Sequence, residues 1–213
     1  MPPAGWACPF HPPYDYAMPN PEQVQGAWRG GWTLDLQTLS STFVGYYPNG
    51  REKFDTKRTE LGELVYQLKY QGRSDAAVRI AATMAKFLSD KPILLSHIDL
   101  VVPMPASTQR AVQPVNSIAS KLAKTLKKPY SGNAIQKTRK TGSLKNITDP
   151  EQRRDALEGA FEGDKAQLNG KRVILVDDLY RSGATANAVT LALLAAGASR
   201  VYFLAATRTR SNA

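Results

Sequence analysis

The run "VILVDDLYRSGAT", residues 173 to 185, sets two carboxylates, Asp177 and Asp178, directly after four apolar residues. A small polar turn follows, Arg181, Ser182, Gly183, Ala184 and Thr185, and then a stretch of strong helix formers. The apolar run reads as a buried strand, and in open α/β sheets ligands bind beyond the carboxyl ends of strands. Successive strand side chains point to opposite faces, so the two acids do not share one role. A turn that opens a helix offers unpaired backbone N–H groups and the positive end of the helix dipole, which together make an anion site. Ser182 and Thr185 add hydroxyl donors, and Gly183 lets the backbone come close to a ligand. Acids suited to hydroxyl groups therefore precede amides suited to a phosphate. A ribose 5-phosphate carries that pattern of groups.

Three other readings compete. The Gly-Lys-Ser/Thr phosphate loop is absent, and so is G-x-G-x-x-G. A phosphoacceptor receiver domain also has an apolar strand ending in an acid pair, but there the pair closes the first strand. Here only one helix and one strand follow it. The plainest alternative is a buried strand followed by an Asp helix cap.

The totals narrow the class. A chain of 213 residues suits one domain with an N-terminal extension. Hydrophobic content of 42% and charged content of 22% fit a globular protein rather than a disordered one. No apolar run reaches the roughly 18 residues that a membrane span needs, and the first residues lack the basic-then-apolar order of a signal peptide. A single cysteine, Cys8, leaves no internal disulfide and points to a reducing, cytoplasmic setting. Cys8 and His11 lie close together, but two ligands do not make a zinc site. The net charge of +10 favours phosphorylated small molecules, nucleic acid or acidic proteins as partners.

The elements that must position the acids follow from periodicity. Residues 1 to 54 read as an irregular arm with a β-hairpin turning at Asn49-Gly50, and within them "WTLDLQTL" alternates Trp32, Leu34 and Leu36 against polar partners as a half-buried strand. Trp6, Trp28 or Trp32 are the side chains that would pack it on the body. The second part, 55 to 213, carries the chemistry. From Asp55 the period becomes helical, with Leu61, Leu64, Val65 and Leu68 on one face and a stop at Gly72. A second helix follows from Asp75, with Ile80, Met84, Phe87 and Leu88 inward. "IDLVV" is a short buried strand, and Pro114 opens a helix with Val115, Ile118, Leu122 and Leu126 on one side. The lysines of that helix, Lys121, Lys124, Lys127 and Lys128, read as its solvated face. Residues 137 to 155 read as a long loop, able to close as a lid. "RVILVDD", "ATANAVTLALLAAG" and "RVYFLAAT" close the chain as strand, helix and strand. Alternating strands and helices predict an α/β fold with a doubly wound, mostly parallel sheet.

The same residues carry a resemblance. "VILVDDLYRSGAT" is similar to the signature with which type I phosphoribosyltransferases bind phosphoribosyl pyrophosphate, PRPP. The ComF-like branch of that family also resembles this chain at "LKYQGR" (68 to 73), "VVPMP" (101 to 105), Asn116 and "RRDALEGAF" (153 to 161). The match covers roughly residues 60 to 207. It implies the type I phosphoribosyltransferase fold with an N-terminal extension. Asp177 and Asp178 would hold the ribose hydroxyls, directly or through Mg2+, and Arg181 to Thr185 would hold the 5-phosphate. Pro105, Ala106 and Ser107 would match the loop that binds pyrophosphate, with Arg110, Arg139, Lys140 and Lys69 as supporting cations. Lys69 also closes a helix, where a cation suits the dipole in any case. Tyr180 either stacks on an acceptor ring or packs beside the strand.

Two departures stand out. Arg181 replaces a common Thr or Ser, and the four-cysteine zinc ribbon usual in ComF-like proteins is missing. The implied function is transfer of the phosphoribosyl group to a nitrogenous base or amine, with release of pyrophosphate. The alternatives are a PRPP- or nucleotide-binding module without turnover, and a ComF-like part in DNA uptake or processing. Nucleic acid is the less favoured partner, because the aromatics are not interleaved with the basic residues as a stacking groove requires. No membrane partner is expected, and a homodimer stays open.

Overall fold

Apolar runs bounded by glycines and prolines build a sheet covered by helices on both faces. The computed structural model describes residues 16–106, 113–139 and 149–210. Its strands are β1 (Glu22–Gln23), β2 (Gly30–Leu36), β3 (Ser40–Tyr46), β4 (Glu52–Lys57), β5 (Leu100–Pro103), β6 (Ile135–Lys137), β7 (Phe161–Gly163), β8 (Arg172–Tyr180) and β9 (Arg200–Arg208). Its helices are α1 (Glu60–Tyr70), α2 (Ser74–Ser89), α3 (Pro92–Ser96), α4 (Pro114–Leu126), α5 (Pro150–Leu157), α6 (Lys165–Leu168) and α7 (Ala184–Ala195).

The main sheet runs β1-β2-β9-β8-β5. β2, β9, β8 and β5 are mutually parallel, and β1 adds an antiparallel edge. The predicted α/β class with a mostly parallel sheet is what the chain adopts. On β8, Ile174 and Val176 face one core with Leu61, Leu64, Ile80, Met84, Ile118 and Leu122 of α1, α2 and α4. Val173 and Leu175 face the other, with Val189 and Leu193 of α7. The period-2 alternation along β8 thus assigns each side chain to a helix layer, including the acids that follow.

Four local differences from the sequence reading have physical causes. The strand expected to be half-buried, with Trp32, Leu34 and Leu36 alternating, lies inside the main sheet: as β2 it pairs parallel with β9, from Gly30 opposite Tyr202 to Leu36 opposite Arg208. Thr33 is as buried as Leu34 there, so both faces of the strand are covered. α1 starts at Glu60 rather than Asp55, because β4 uses residues up to Lys57 and Thr59 caps the helix. β8 does not stop at the acids but runs on to Tyr180, since β9 continues beside it, Leu179 opposite Thr207 and Tyr180 opposite Arg208. Within the expected loop 137 to 155, a helix begins at Pro150, while 140–148 lies outside the described residues.

Elsewhere the reading and the fold agree. The hairpin β3–β4 turns through Asn49 and Gly50, and Gly50 has φ +75°. Gly72, just past α1, has φ +69°, a conformation that glycine adopts without a Cβ penalty. Pro114 sits in the first turn of α4.

Candidate functional site

β2, β9, β8 and β5 all point their carboxyl ends to one rim, and the predicted acids lie there on β8. Asp178 continues the Ile174–Val176 side, toward α1. It is 7% exposed, and its Oδ1 lies 2.8 Å from the ammonium of Lys69 in the last turn of α1. Asp177 continues the Val173–Leu175 side, toward α7, and is half-buried. Its Oδ1 accepts a hydrogen bond from the Asp178 backbone N–H at 2.8 Å. Burial, and then the neighbouring Asp178 charge, push the Asp177 carboxyl up to about 8. The two acids thus face opposite layers of the fold, as the alternation requires.

Directly after them, Gly183 takes φ +75° and is the N-cap of α7, with no side chain capping the first turn. A Cβ at Gly183 would come 2.7 Å from the Tyr180 hydroxyl, so Tyr180 folds back against this turn. Tyr180 packs beside the strand, against Phe203 and edge-on to Trp28. Arg181 and Ser182 are exposed, while Ala184 and Thr185 are half-buried in the first turn of α7. Uncapped first-turn amides and the helix dipole leave this turn able to take an anion.

β5 brings a third segment to the rim. Pro103 lies opposite Val176, and the Met104 N–H donates to the Val176 carbonyl at 2.8 Å. Pro105 and Ala106 therefore leave the sheet beside the acid pair. Ser107, Arg110 and Lys140 lie outside the described residues. Arg139 is exposed next to β6, where its guanidinium donates to the Glu158 carbonyl at 2.6 Å.

The structure adds residues that the sequence did not single out. The Thr207 hydroxyl, buried at the end of β9, is 2.8 Å from the Asp178 carbonyl and 2.6 Å from Gln37 Oε1. Gln37 Nε2 donates to the Gly62 carbonyl of α1 at 2.9 Å. The one proton of the Thr207 hydroxyl is shared between the Asp178 carbonyl and Gln37 Oε1, which sets the acid-bearing strand beside Gln37 and, through it, the helix that carries Lys69. A Cβ at Gly62 would come 2.2 Å from the Gln37 carbonyl, so α1 needs glycine there to sit against the end of β2. A polar residue ending "RVYFLAAT" was the one available signal for Thr207. Near α7, the Asn187 side chain accepts from the Ala27 N–H at 2.6 Å, which the sequence gave no sign of.

The donor set suits a hard cation. The carboxylates supply oxygen ligands at the end of β8, and a positive charge beside Asp177 would favour the ionised form that burial, and then the Asp178 charge, oppose. Among the described residues, no group of three or more His, Cys, Asp or Glu could hold a metal ion. Mg2+ usually takes one or two carboxylates and completes its shell with water and substrate phosphates, so the residues present fit it.

A parallel α/β sheet with an acid pair and an uncapped, glycine-led helix start at its carboxyl rim places the chain among the open α/β folds, whose ligands bind beyond the carboxyl ends of their strands. The chain belongs to the phosphoribosyl transferase domain family, whose model matches residues 73–212. It is 28% identical over 137 residues to an amidophosphoribosyltransferase of Haemophilus influenzae, covering 64% of this chain and 25% of that protein. It is 27% identical over the same length to the amidophosphoribosyltransferase of Pasteurella multocida, again covering 64% and 25%. The chain thus spans about a quarter of the length of these curated relatives. Among solved structures, the glutamine PRPP amidotransferase of B. subtilis is similar over 75% of this chain and 34% of its own, at 18% identity and a TM-score of 0.43. A hypoxanthine phosphoribosyltransferase of Staphylococcus aureus is similar over 66% of this chain and 70% of its own, at 12% identity and a TM-score of 0.37. Among the described residues, no helix is long and apolar enough to cross a membrane.

Proposed function

We propose that this protein is a cytoplasmic phosphoribosyltransferase that binds PRPP with Mg2+ and transfers the phosphoribosyl group to a nitrogenous base or amine, releasing pyrophosphate. One observation carries the reading: the carboxylates of β8 stand directly before the uncapped first turn of α7. Family membership and the amidophosphoribosyltransferase relatives support it.

In this reading the α7 amides and the Ser182 and Thr185 hydroxyls hold the 5-phosphate. Asp177 and Asp178 hold the ribose 2- and 3-hydroxyls from the two sides of the strand. Lys69 fixes the Asp178 carboxylate and keeps the rim from accumulating two unbalanced negative charges. The exit of β5 at Pro105 and Ala106 receives the pyrophosphate end. Mg2+, when bound, neutralises charge on the leaving pyrophosphate. Departure of pyrophosphate leaves an oxocarbenium-like C1, as at other anomeric carbons. The acceptor nitrogen attacks C1 with its own lone pair, so no protein nucleophile is required.

The experiment is incubation with PRPP, Mg2+ and a panel of bases and amines, read as pyrophosphate release. Release with at least one acceptor is the expected result. PRPP binding with no release across the panel would favour the second reading, a binding module without turnover. The Lys69–Asp178 pair favours that module, because an internal cation already occupies one of the two acids. A ComF-like role on DNA is the weakest of the three. Binding of DNA that does not fall with rising salt would exclude a phosphate-backbone mode.

A further inference from the structure

Asp178 meets a cation that belongs to the chain itself. The Lys69 ammonium lies 2.8 Å from its Oδ1, and the two side chains keep only 20% and 10% of their surface open to water. A lysine on a free surface wanders, but this one stands on a helix fixed at several points. Leu61, Leu64, Val65 and Leu68 bury the inner face of α1. The Thr59 hydroxyl accepts from the Gly62 N–H at 2.9 Å and donates to the Leu36 carbonyl at 2.6 Å, which ties the start of α1 to the end of β2. Glu60 accepts from Arg79 of α2 at 2.7 Å. The fold therefore delivers the ammonium to the acid, and the cost of ordering it is met on folding rather than on binding.

The same geometry turns a metal ion away from this acid. A divalent ion on the Asp178 carboxylate would stand beside the ammonium, and like charges that close repel strongly where water is scarce. Nor do the two acids form a chelate for one ion, because the alternation along β8 turns Asp177 toward α7 and Asp178 toward α1. Among the described residues, no group of three or more His, Cys, Asp or Glu is placed to hold a metal. The positions left for Mg2+ are the Asp177 side and the pyrophosphate. A carboxylate has lone pairs for more than one donor, so Asp178 can hold Lys69 and accept from a ribose hydroxyl together.

On the PRPP reading above, we infer that Lys69 is the built-in counter-ion of the sugar site: the ribose 5-phosphate end of the ligand is gripped without a metal, and Mg2+ is needed only at the pyrophosphate end. A phosphate dianion approaching two carboxylates meets a repulsion that Lys69 partly offsets. Without the ammonium, a divalent ion would have to do this, and the sugar end would become metal-dependent as well. A pair that served stability alone would leave the metal dependence of both ends unchanged.

Calorimetric titration of the full chain with ribose 5-phosphate and with PRPP, each in Mg2+ and in EDTA, separates the two ends. Ribose 5-phosphate should bind the wild-type chain within about twofold of the same affinity in both, whereas PRPP should bind at least about tenfold more weakly in EDTA. Lys69→Met should weaken ribose 5-phosphate in EDTA by about tenfold, and Mg2+ should recover most of that loss. Urea unfolding shows whether the variant is folded, and the wild-type comparison decides the matter even where it is not. Wild-type affinity for ribose 5-phosphate that falls about tenfold in EDTA overturns the inference and leaves the PRPP reading standing. So does a folded Lys69→Met chain that binds ribose 5-phosphate as the wild type does. If neither probe binds under any condition, the PRPP reading falls and the inference falls with it.

Discussion

Lys69 and Asp178 come from different ends of the chain and meet at 2.8 Å, each mostly withdrawn from water. Removing one partner of such a pair leaves the other charge uncompensated, whereas removing both is far milder. Asp178→Asn should therefore lower unfolding stability by about 1–3 kcal/mol, leaving the chain folded. PRPP affinity, read by calorimetry, should fall at least about tenfold, roughly 1.4 kcal/mol. Adding Lys69→Met should return most of the stability in urea unfolding and none of the affinity. Unchanged affinity in Asp178→Asn would make the acid structural. Gly183 offers a second test, because φ +75° disfavours a side chain there and a Cβ would press on the Tyr180 hydroxyl. Gly183→Ala should cost about 1–2 kcal/mol of stability. It should also weaken PRPP binding by disturbing the turn that presents the α7 amides.

At the scale of elements, β8 is anchored at both ends. At its start, Arg172 makes a two-pronged contact with Asp99 at 2.8 and 2.7 Å, just before β5. The guanidinium holds the Asp99 carboxyl well below the usual carboxylate range. A depressed folded pKa stabilises the fold above the unfolded value, near 3.9, and that contribution is lost as pH falls through the folded value. Asp99→Asn should thus flatten the acid side of the stability profile, with little change in its slope near neutral pH. Urea unfolding across the acid range checks this. At its other end, β8 is held by β9, where the Thr207 hydroxyl shares its one proton between the Asp178 carbonyl and Gln37 Oε1. The site therefore sits between two fixed points rather than on a free loop.

Across the whole molecule, the N-terminal segment is part of the sheet and of the wall behind the site. Trp28 is buried, stacked on Phe203 at 4.7 Å and edge-on to Tyr180, with its indole N–H on the Val24 carbonyl. Trp28→Ala should cost about 3–5 kcal/mol in denaturant unfolding, as truncation of a buried aromatic does. A loss under about 1 kcal/mol would mean that this segment only rests on the body.

The fold class, the helices from Leu61 to Leu88 and the strand that bears the acids were legible in the chain, because period and turn residues are local properties. Local too was the coupling of acids to a glycine-led helix start, since both lie within thirteen consecutive letters. What only the tertiary structure decided was contact between distant segments. β2 reads as half of a surface strand until β9 lies beside it, and Lys69 reads as a dipole cation until α1 packs over β8. Thr207, Gln37 and Trp28 gain their roles in the same way. Hydrogen bonds and ion pairs between residues far apart in sequence leave no period to read, so their partners are settled only when the layers close.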